Sequence, residues 1–579
     1  MARRLWVGAA TFGCVLSFGS AAFAADFYVD PANGSPSGDG SQGNPWRTLQ
    51  EVVEADLIAS QNWDNLPYDS SGSQLEPKNA SAPIKAGDTI WLLSGYHGAV
   101  DITGYYNASN ITIAAAPGQS PELSSLLIRA AKNWVVRGLL LSPDYAPTYE
   151  RTTMIDLDSH GYSGPVSDII VEDCQLQSVA DASSWTANDW DTKAVNGINA
   201  DGTNITLRGN QLKNVNFGLS VGASNSLVEH NVVDSFSGDG MRGLGDYTTF
   251  QYNLVKNCYD VNDNHDDGFQ SWSNGPGGVG TGEVTGIVLR GNVIINYEDP
   301  NQPLRGPLQG IGCFDGTFVD WVVENNVIIT DHWHGISLYG ARNSRIVNNT
   351  VLDPNTSNPG PPWIKIENHK NGTAPVNCLV ANNLTTDLAN ASGVTEDHNV
   401  IIDDPLKFFV DPAAYDVHLL DNSPAIDQGT TDNAPTHDIE GIPRPQGNGI
   451  DVGAYEWHDP SVMPDPDAGV SGGSGGMASG GSAGNSQGGS ATAGSSQGGS
   501  STAGSGQGGS GQGGSGQGGS AAGTSGGAAS NAADGSNDDS GCGCRTAGSA
   551  PSSNWLLLGL GLAAGLLSRR RRRAVTDKI

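Results

Sequence analysis

The chain has 579 residues, 61 acidic against 29 basic, and a formal charge of −32 at pH 7. That excess argues against nucleic acid as a partner, which needs clustered Lys and Arg, while an acidic, Asp-rich secreted chain is compatible with calcium. Cys174, Cys258, Cys313 and Cys378 stand far apart, which excludes metal-ligand spacing and a dense disulfide framework.

Residues 1–24 carry the signs of a secretory signal: Arg3 and Arg4, an apolar stretch from Leu5 to Gly19, and the cleavage site Ala22-Phe23-Ala24. The mature chain is expected to begin at Ala25. From Phe27 to Gln50 the order is a short strand, a Gly/Ser loop, then a helical segment predicted over Leu49 to Ala59. This segment is expected to cap the open end of a stack, because a bare end offers unpaired strand edges. Lys85 to Gly95 is expected to form the first full coil.

Down the middle of the chain an Asn recurs with the same apolar company. Leu207-Arg208-Gly209-Asn210, Val228-Glu229-His230-Asn231, Phe250-Gln251-Tyr252-Asn253, Leu289-Arg290-Gly291-Asn292, Val323-Glu324-Asn325-Asn326, Ile346-Val347-Asn348-Asn349 and Val380-Ala381-Asn382-Asn383 are copies. A short apolar run follows most of them, such as Val293-Ile294-Ile295. A period of roughly 20 residues with short β-branched strands marks a solenoid whose coils bury their apolar sides only by stacking. The expected fold is all-β, a right-handed parallel β-helix over residues 25–458. At the turn between two strands each Asn would bond its neighbours above and below and tolerate a left-handed backbone. Cys174 falls at an equivalent ladder position. A folded part of this length exceeds the usual single-core limit, which a solenoid escapes by growing in one dimension.

Four strands align on a Gly: Asp239-Gly240-Met241-Arg242, Asp266-Asp267-Gly268-Phe269-Gln270, Gln309-Gly310-Ile311-Gly312 and His334-Gly335-Ile336-Ser337. Met241, Phe269, Ile311 and Ile336 take the inward place, so a period of two turns Arg242, Gln270 and Ser337 outward. Ile364-Lys365-Ile366 continues the series with Lys365 outward. Asp239, Asp266, Asp267, Gln309 and His334 then cluster at the start of one strand row. The loops Trp272 to Glu283 and Glu298 to Gly306 would flank it and form a groove wide enough for a polymer. Three carboxylates on adjacent coils repel unless a cation or proton intervenes, and calcium takes such oxygens. Trp272, Trp321, Trp333, Tyr339 and Trp363 are candidates to stack on sugar rings.

Residues 418–429 and 451–456 suit a closing segment after coils that end near Ile402. Residues 459–541 turn to Gly, Ser, Ala and Gln and cannot bury a core, so they are expected to form a flexible linker. Residues 542–579 bring Cys542-Gly543-Cys544, an apolar run from Trp555 to Leu567, short for a bilayer span, and Arg569 to Arg573. This order resembles the MYXO-CTERM sorting tail of myxobacterial surface proteins. The resemblance implies a processed tail, contact with the envelope membrane, and a domain shown on the cell surface or released; the domain is separately expected to be a monomer.

The site strands resemble those of calcium-dependent β-helix pectate lyases, polysaccharide lyase family 9. The resemblance implies calcium at Asp239, Asp266 and Asp267, with Gln270 standing where the family has a further Asp. It also implies a basic residue that removes a proton beside a uronate carboxylate, with Arg305, Arg242, Lys365 and His334 as the candidates. Gln270, Trp272 and Gln309 would touch the substrate. The order of motifs also resembles glycoside hydrolase family 28, with Trp363 in place of that family's Arg; there Asp239, Asp266 and Asp267 would supply the acid and the base. An epimerase would share the lyase's first step, and a carbohydrate-binding surface protein without catalysis is the competing class.

Overall fold

The computed structural model describes residues 24–465. The signal, most of the linker and the tail therefore lie outside the described residues, and no described helix is long and apolar enough to cross a membrane. The described chain is a right-handed parallel β-helix whose coils each contribute to three rows of short strands. Row one includes Leu219–Val221, Met241–Gly243, Asp267–Trp272, Gln309–Asp315, His334–Tyr339 and Trp363–Glu367. Row two includes Thr203–Arg208, Leu227–Glu229, Thr249–Gln251 and Val288–Arg290, and row three includes Gln211–Val215, Val232–Phe236, Leu254–Cys258 and Val293–Ile295. Ala99–Ala115 and Ser125–Arg137 pair along both of the first two rows, which therefore form one continuous sheet.

One apolar core runs up the axis, because alternate residues of every strand point inward. Six glycines mark the corner from row three into row one: Gly197, Gly218, Gly240, Gly268, Gly310 and Gly335. A Cβ at each would strike an apolar side chain of row three, Ile294 in the case of Gly268 and Ile328 in the case of Gly310. Glycine is needed there because the corner itself faces the packed interior.

The Asn ladder runs from Asn210 through Asn231, Asn253, Asn292, Asn326, Asn349 and Asn383 to Asn399, each Nδ2 donating to the next Oδ1 at 2.9–3.0 Å. Cys174 does hold the position below, its N–H donating to Asn210 Oδ1 at 3.1 Å. The left-handed residue is not the ladder Asn, as expected, but the one before it: Asp173, Gly209, His230, Tyr252, Gly291, Asn325, Asn348, Asn382 and His398 all have positive φ. That turn frees the following Asn to point along the axis. On row two Glu172, Arg208, Glu229, Arg290 and Glu324 form ion pairs between coils, an outer charge ladder.

The ends differ in detail from expectation. The capping helix is only Leu49–Glu54, and Ile58 already bridges to Ile84. The first strand, Asp26–Val29, pairs with Thr89–Leu92, so it is itself a rung beneath the coil expected to be first. Coils end at Val400–Ile401. The closing segment then folds back against Ile295, Val327, Ile329, Leu352 and Leu384, outward residues of row three and their neighbours. All four domain cysteines are free and buried.

Candidate functional site

The register of row one brings the expected residues onto one face. Ser220, Arg242, Gln270, Gly312, Ser337 and Lys365 are successive partners across the coils, and Met241, Phe269, Ile311, Ile336 and Ile364 form the buried column beside them. Asp239, Asp267, Gln309 and His334 each stand one residue before the corner glycine. Loops on both sides frame this face, 259–266 and 296–308 where strands enter and 273–282 where they leave. The first wall is braced from outside: Trp190 of the helix Ala187–Lys193 stacks on Tyr259 at 4.4 Å, and Asn262 Nδ2 donates to Asp191 at 3.1 Å. The second is tied down by His369, whose Nε2 lies 3.0 Å from the Gly280 carbonyl.

Within each coil the groove residues bond one another. Arg242 Nε donates to Asp239 Oδ2 at 2.5 Å, and its guanidinium lies 3.7 Å over the Phe217 ring and 5.3 Å from the centre of Trp272. Asp267 Oδ2 accepts from Gln270 Nε2 at 2.9 Å and lies 3.0 Å from His265 Nδ1. His334 Nδ1 lies 2.9 Å from Ser337 Oγ, which also accepts from Trp363 Nε1 at 3.2 Å. Lys365 Nζ sits 3.2 Å from Glu367 and 4.9 Å from the Trp363 ring centre.

Burial shapes the charges. It pushes the Asp266 carboxyl well above its ordinary range, and the neighbouring Asp239 charge adds to the effect. It likewise raises Asp267, against the pull of His265. Burial and the neighbouring His332, Lys365 and His265 lower His334 to about 3, so its imidazole is neutral at pH 7. His332, stacked on it at 5.2 Å, is lowered to about 4 by burial and His265.

The oxygens that suit a hard cation are not the expected three carboxylates. Asp239 is engaged at both oxygens, by Arg242 Nε and by the Asp267 N–H. Asp266 faces Cys258 Sγ at 3.5 Å and Asn264 Nδ2 at 3.4 Å. Among the described residues no three His, Cys, Asp or Glu side chains gather as ligands of one ion. Asp267 Oδ1 and Gln309 Oε1, however, are buried without a protein partner. Both press on Gly312, where a Cβ would overlap Asp267 Oδ1 and lie 3.0 Å from Gln309 Oε1. Two unsatisfied oxygens on adjacent coils over a residue without a side chain fit a hard cation.

Three further expectations change. Arg305 is exposed and turns to the Pro300 carbonyl, its guanidinium 4.5 Å from the Tyr297 ring centre, so its contacts lie in its own loop. Trp272 is 6% exposed and lies beneath the face instead of offering a ring to it. Trp321 is in the core, packed on Phe269 and Phe318. What sequence reasoning missed is Gly312. Its place in the Arg242 to Lys365 column was legible, but its contact with Asp267 depends on the packing of the preceding coil.

Residues 196–384 match the family model described as right handed beta helix region. No curated protein matches the chain. Among solved structures, pectate lyase Pel9A is similar at 15% identity over 75% of this chain and 97% of that one, with a TM-score of 0.33. The GH136 lacto-N-biosidase from Eubacterium ramulus is similar at 13% identity, over 65% of this chain and 68% of that one, with a TM-score of 0.35. The PL6 family alginate lyase AlyGC is similar at 16% identity, over 54% of this chain and 49% of that one, with a TM-score of 0.33.

Proposed function

We propose that this protein is a polysaccharide-active enzyme that cleaves an acidic, uronate-containing glycan by β-elimination in the row-one groove. The observation that carries the reading is His334: a half-buried neutral imidazole, held at Nδ1 by Ser337, beside Lys365 and one coil beyond the Asp267–Gln309 pair. A neutral imidazole can take the proton from the carbon next to a uronate carboxylate. The arriving carboxylate would raise the basicity of His334 by favouring its charged form. Arg242 and Lys365 flank the same face as fixed cations. Calcium would be held by Asp267 and Gln309, and the chemistry a hard cation supplies when bound is acidification of that carbon. Its need follows from electrostatics as well, since both groove cations already face a carboxylate, Asp239 and Glu367. Secretion, display at the cell surface through the tail, and a monomeric state belong to the same proposal and rest on the sequence.

Hydrolysis is the second reading, favoured by the Asp267 carboxyl, raised to about 7, which suits a general acid near neutral pH, with the raised Asp266 carboxyl next to it in sequence. The test is to incubate the purified chain with polyuronates, with calcium and with EDTA, following ultraviolet absorbance of unsaturated ends and new reducing ends. Elimination predicts absorbance that EDTA removes, and a His334→Ala loss of about 100- to 10,000-fold in turnover. Reducing ends without absorbance mean hydrolysis. Neither signal across a broad panel rejects an enzyme and leaves the binding-protein class.

A further inference from the structure

Beyond His334 the groove changes character. Trp333 is 41% exposed although its backbone belongs to a hydrogen-bonded corner, its carbonyl accepting from the Gly335 and Trp363 N–H groups at 3.0 and 2.8 Å. On the next coil, Trp363 pairs with His334 in register, and its indole is fixed to Ser337 Oγ. His332 packs edge-on to Trp333 at 5.6 Å, and Trp363 packs edge-on to His334 at 5.3 Å. Two indoles thus stand on consecutive coils, one either side of the candidate base in chain order. Neighbouring coils are about 4.8 Å apart, close to the advance of one pyranose ring.

A large apolar side chain left open to water costs free energy unless something covers it. Indole faces pack on the C–H face of a sugar and leave its hydroxyls to solvent. Among the described residues the other exposed aromatics, Tyr162 and Tyr247, lie on other coils, whereas Trp333 adjoins the residues proposed to act on the substrate.

We propose that Trp333 and Trp363 form an aromatic subsite that seats the glycan beyond the scissile unit, with the chain running along the helix axis and one sugar ring per coil. This inference rests on reading the groove as a glycan site. It makes Trp333 a substrate-positioning residue that only longer oligosaccharides reach.

The test compares wild type, Trp333→Ala and Trp333→Phe in the full chain, using galacturonate and mannuronate oligomers of increasing length. Binding is measured by calorimetry, and KM and kcat separately wherever turnover occurs. We expect Trp333→Ala to weaken binding of the longer oligomers by about 10-fold and to raise KM to match. The kcat and the binding of the shortest oligomers should be unchanged, and Trp333→Phe should restore part of the loss. Loss that is equal at every length, or confined to kcat, would overturn the subsite in favour of a structural role. No loss at any length would overturn it outright. If wild type binds no oligomer at all, the reading of the groove as a glycan site fails first and the subsite falls with it.

Discussion

Buried charge in this protein is treated in two opposite ways. The Arg444 and Glu456 side chains are completely buried and paired, Nη1 donating to Oε2 at 2.9 Å, while the guanidinium also reaches the carbonyls of Asp451 and Gly453. Such a pair adds little net stability, but breaking it leaves an uncompensated charge. Arg444→Met should therefore cost about 3–5 kcal/mol in chemical denaturation. Asp267 is the opposite case, its Oδ1 buried with no protein partner, as is Oε1 of the neutral Gln309 on the adjacent coil. Their contact with Gly312 explains why that position in the groove column carries no side chain, since any Cβ would displace the carboxylate. Unsatisfied groups persist where function requires them.

At the scale of the element, the turn between rows two and three is held by the Asn ladder. Asn292 Oδ1 accepts from both the N–H and the Nδ2 of Asn253, and its Nδ2 donates to Asn326 Oδ1 and to the Phe250 carbonyl. Asn292→Ala would leave buried donors and an acceptor without partners, each worth about 1–3 kcal/mol. The expected destabilisation is about 3 kcal/mol or more, read as a lower denaturation midpoint with an unchanged slope. Because coils contact only their neighbours, proteolysis of this variant should begin near the lesion. The charge ladder on row two acts differently. Its Arg side chains are about two-fifths exposed, so it adds little stability but sets opposite charges in register between successive coils.

At the scale of the whole molecule, the closing segment is bound to the solenoid from outside. Asn325 donates to the His437 carbonyl at 2.8 Å and the Ala454 N–H donates to Thr350 at 2.9 Å. It is pinned within itself by His418, between Asp416 and Glu440. Burial lowers the His418 pKa, but the two carboxylates outweigh it and raise it to about 9. A raised histidine favours the folded state below its unfolded pKa, and that contribution is lost as pH rises through the folded value. The advantage of wild type over His418→Gln in melting temperature should thus be full near pH 6 and disappear above about pH 10.

The architecture was legible because it depends on patterns that each coil carries alone. The roughly 20-residue period, the alternation of Met241 with Arg242 or Phe269 with Gln270, and the Asn after each strand all follow from local geometry. They placed the inward and outward columns of row one, Lys365 included, and Cys174 in the ladder. Which partner each outward side chain chose was decided only by tertiary structure. Asp239 turned to Arg242, Asp266 to Cys258 and Asn264, and Arg305 to its own loop. The physical reason is that direction is local but partnership is not settled locally. A side chain's direction is set by its own backbone, but which of its near neighbours it meets depends on how its loop and the adjoining coil pack around it, as when Gly312 gave room to Asp267.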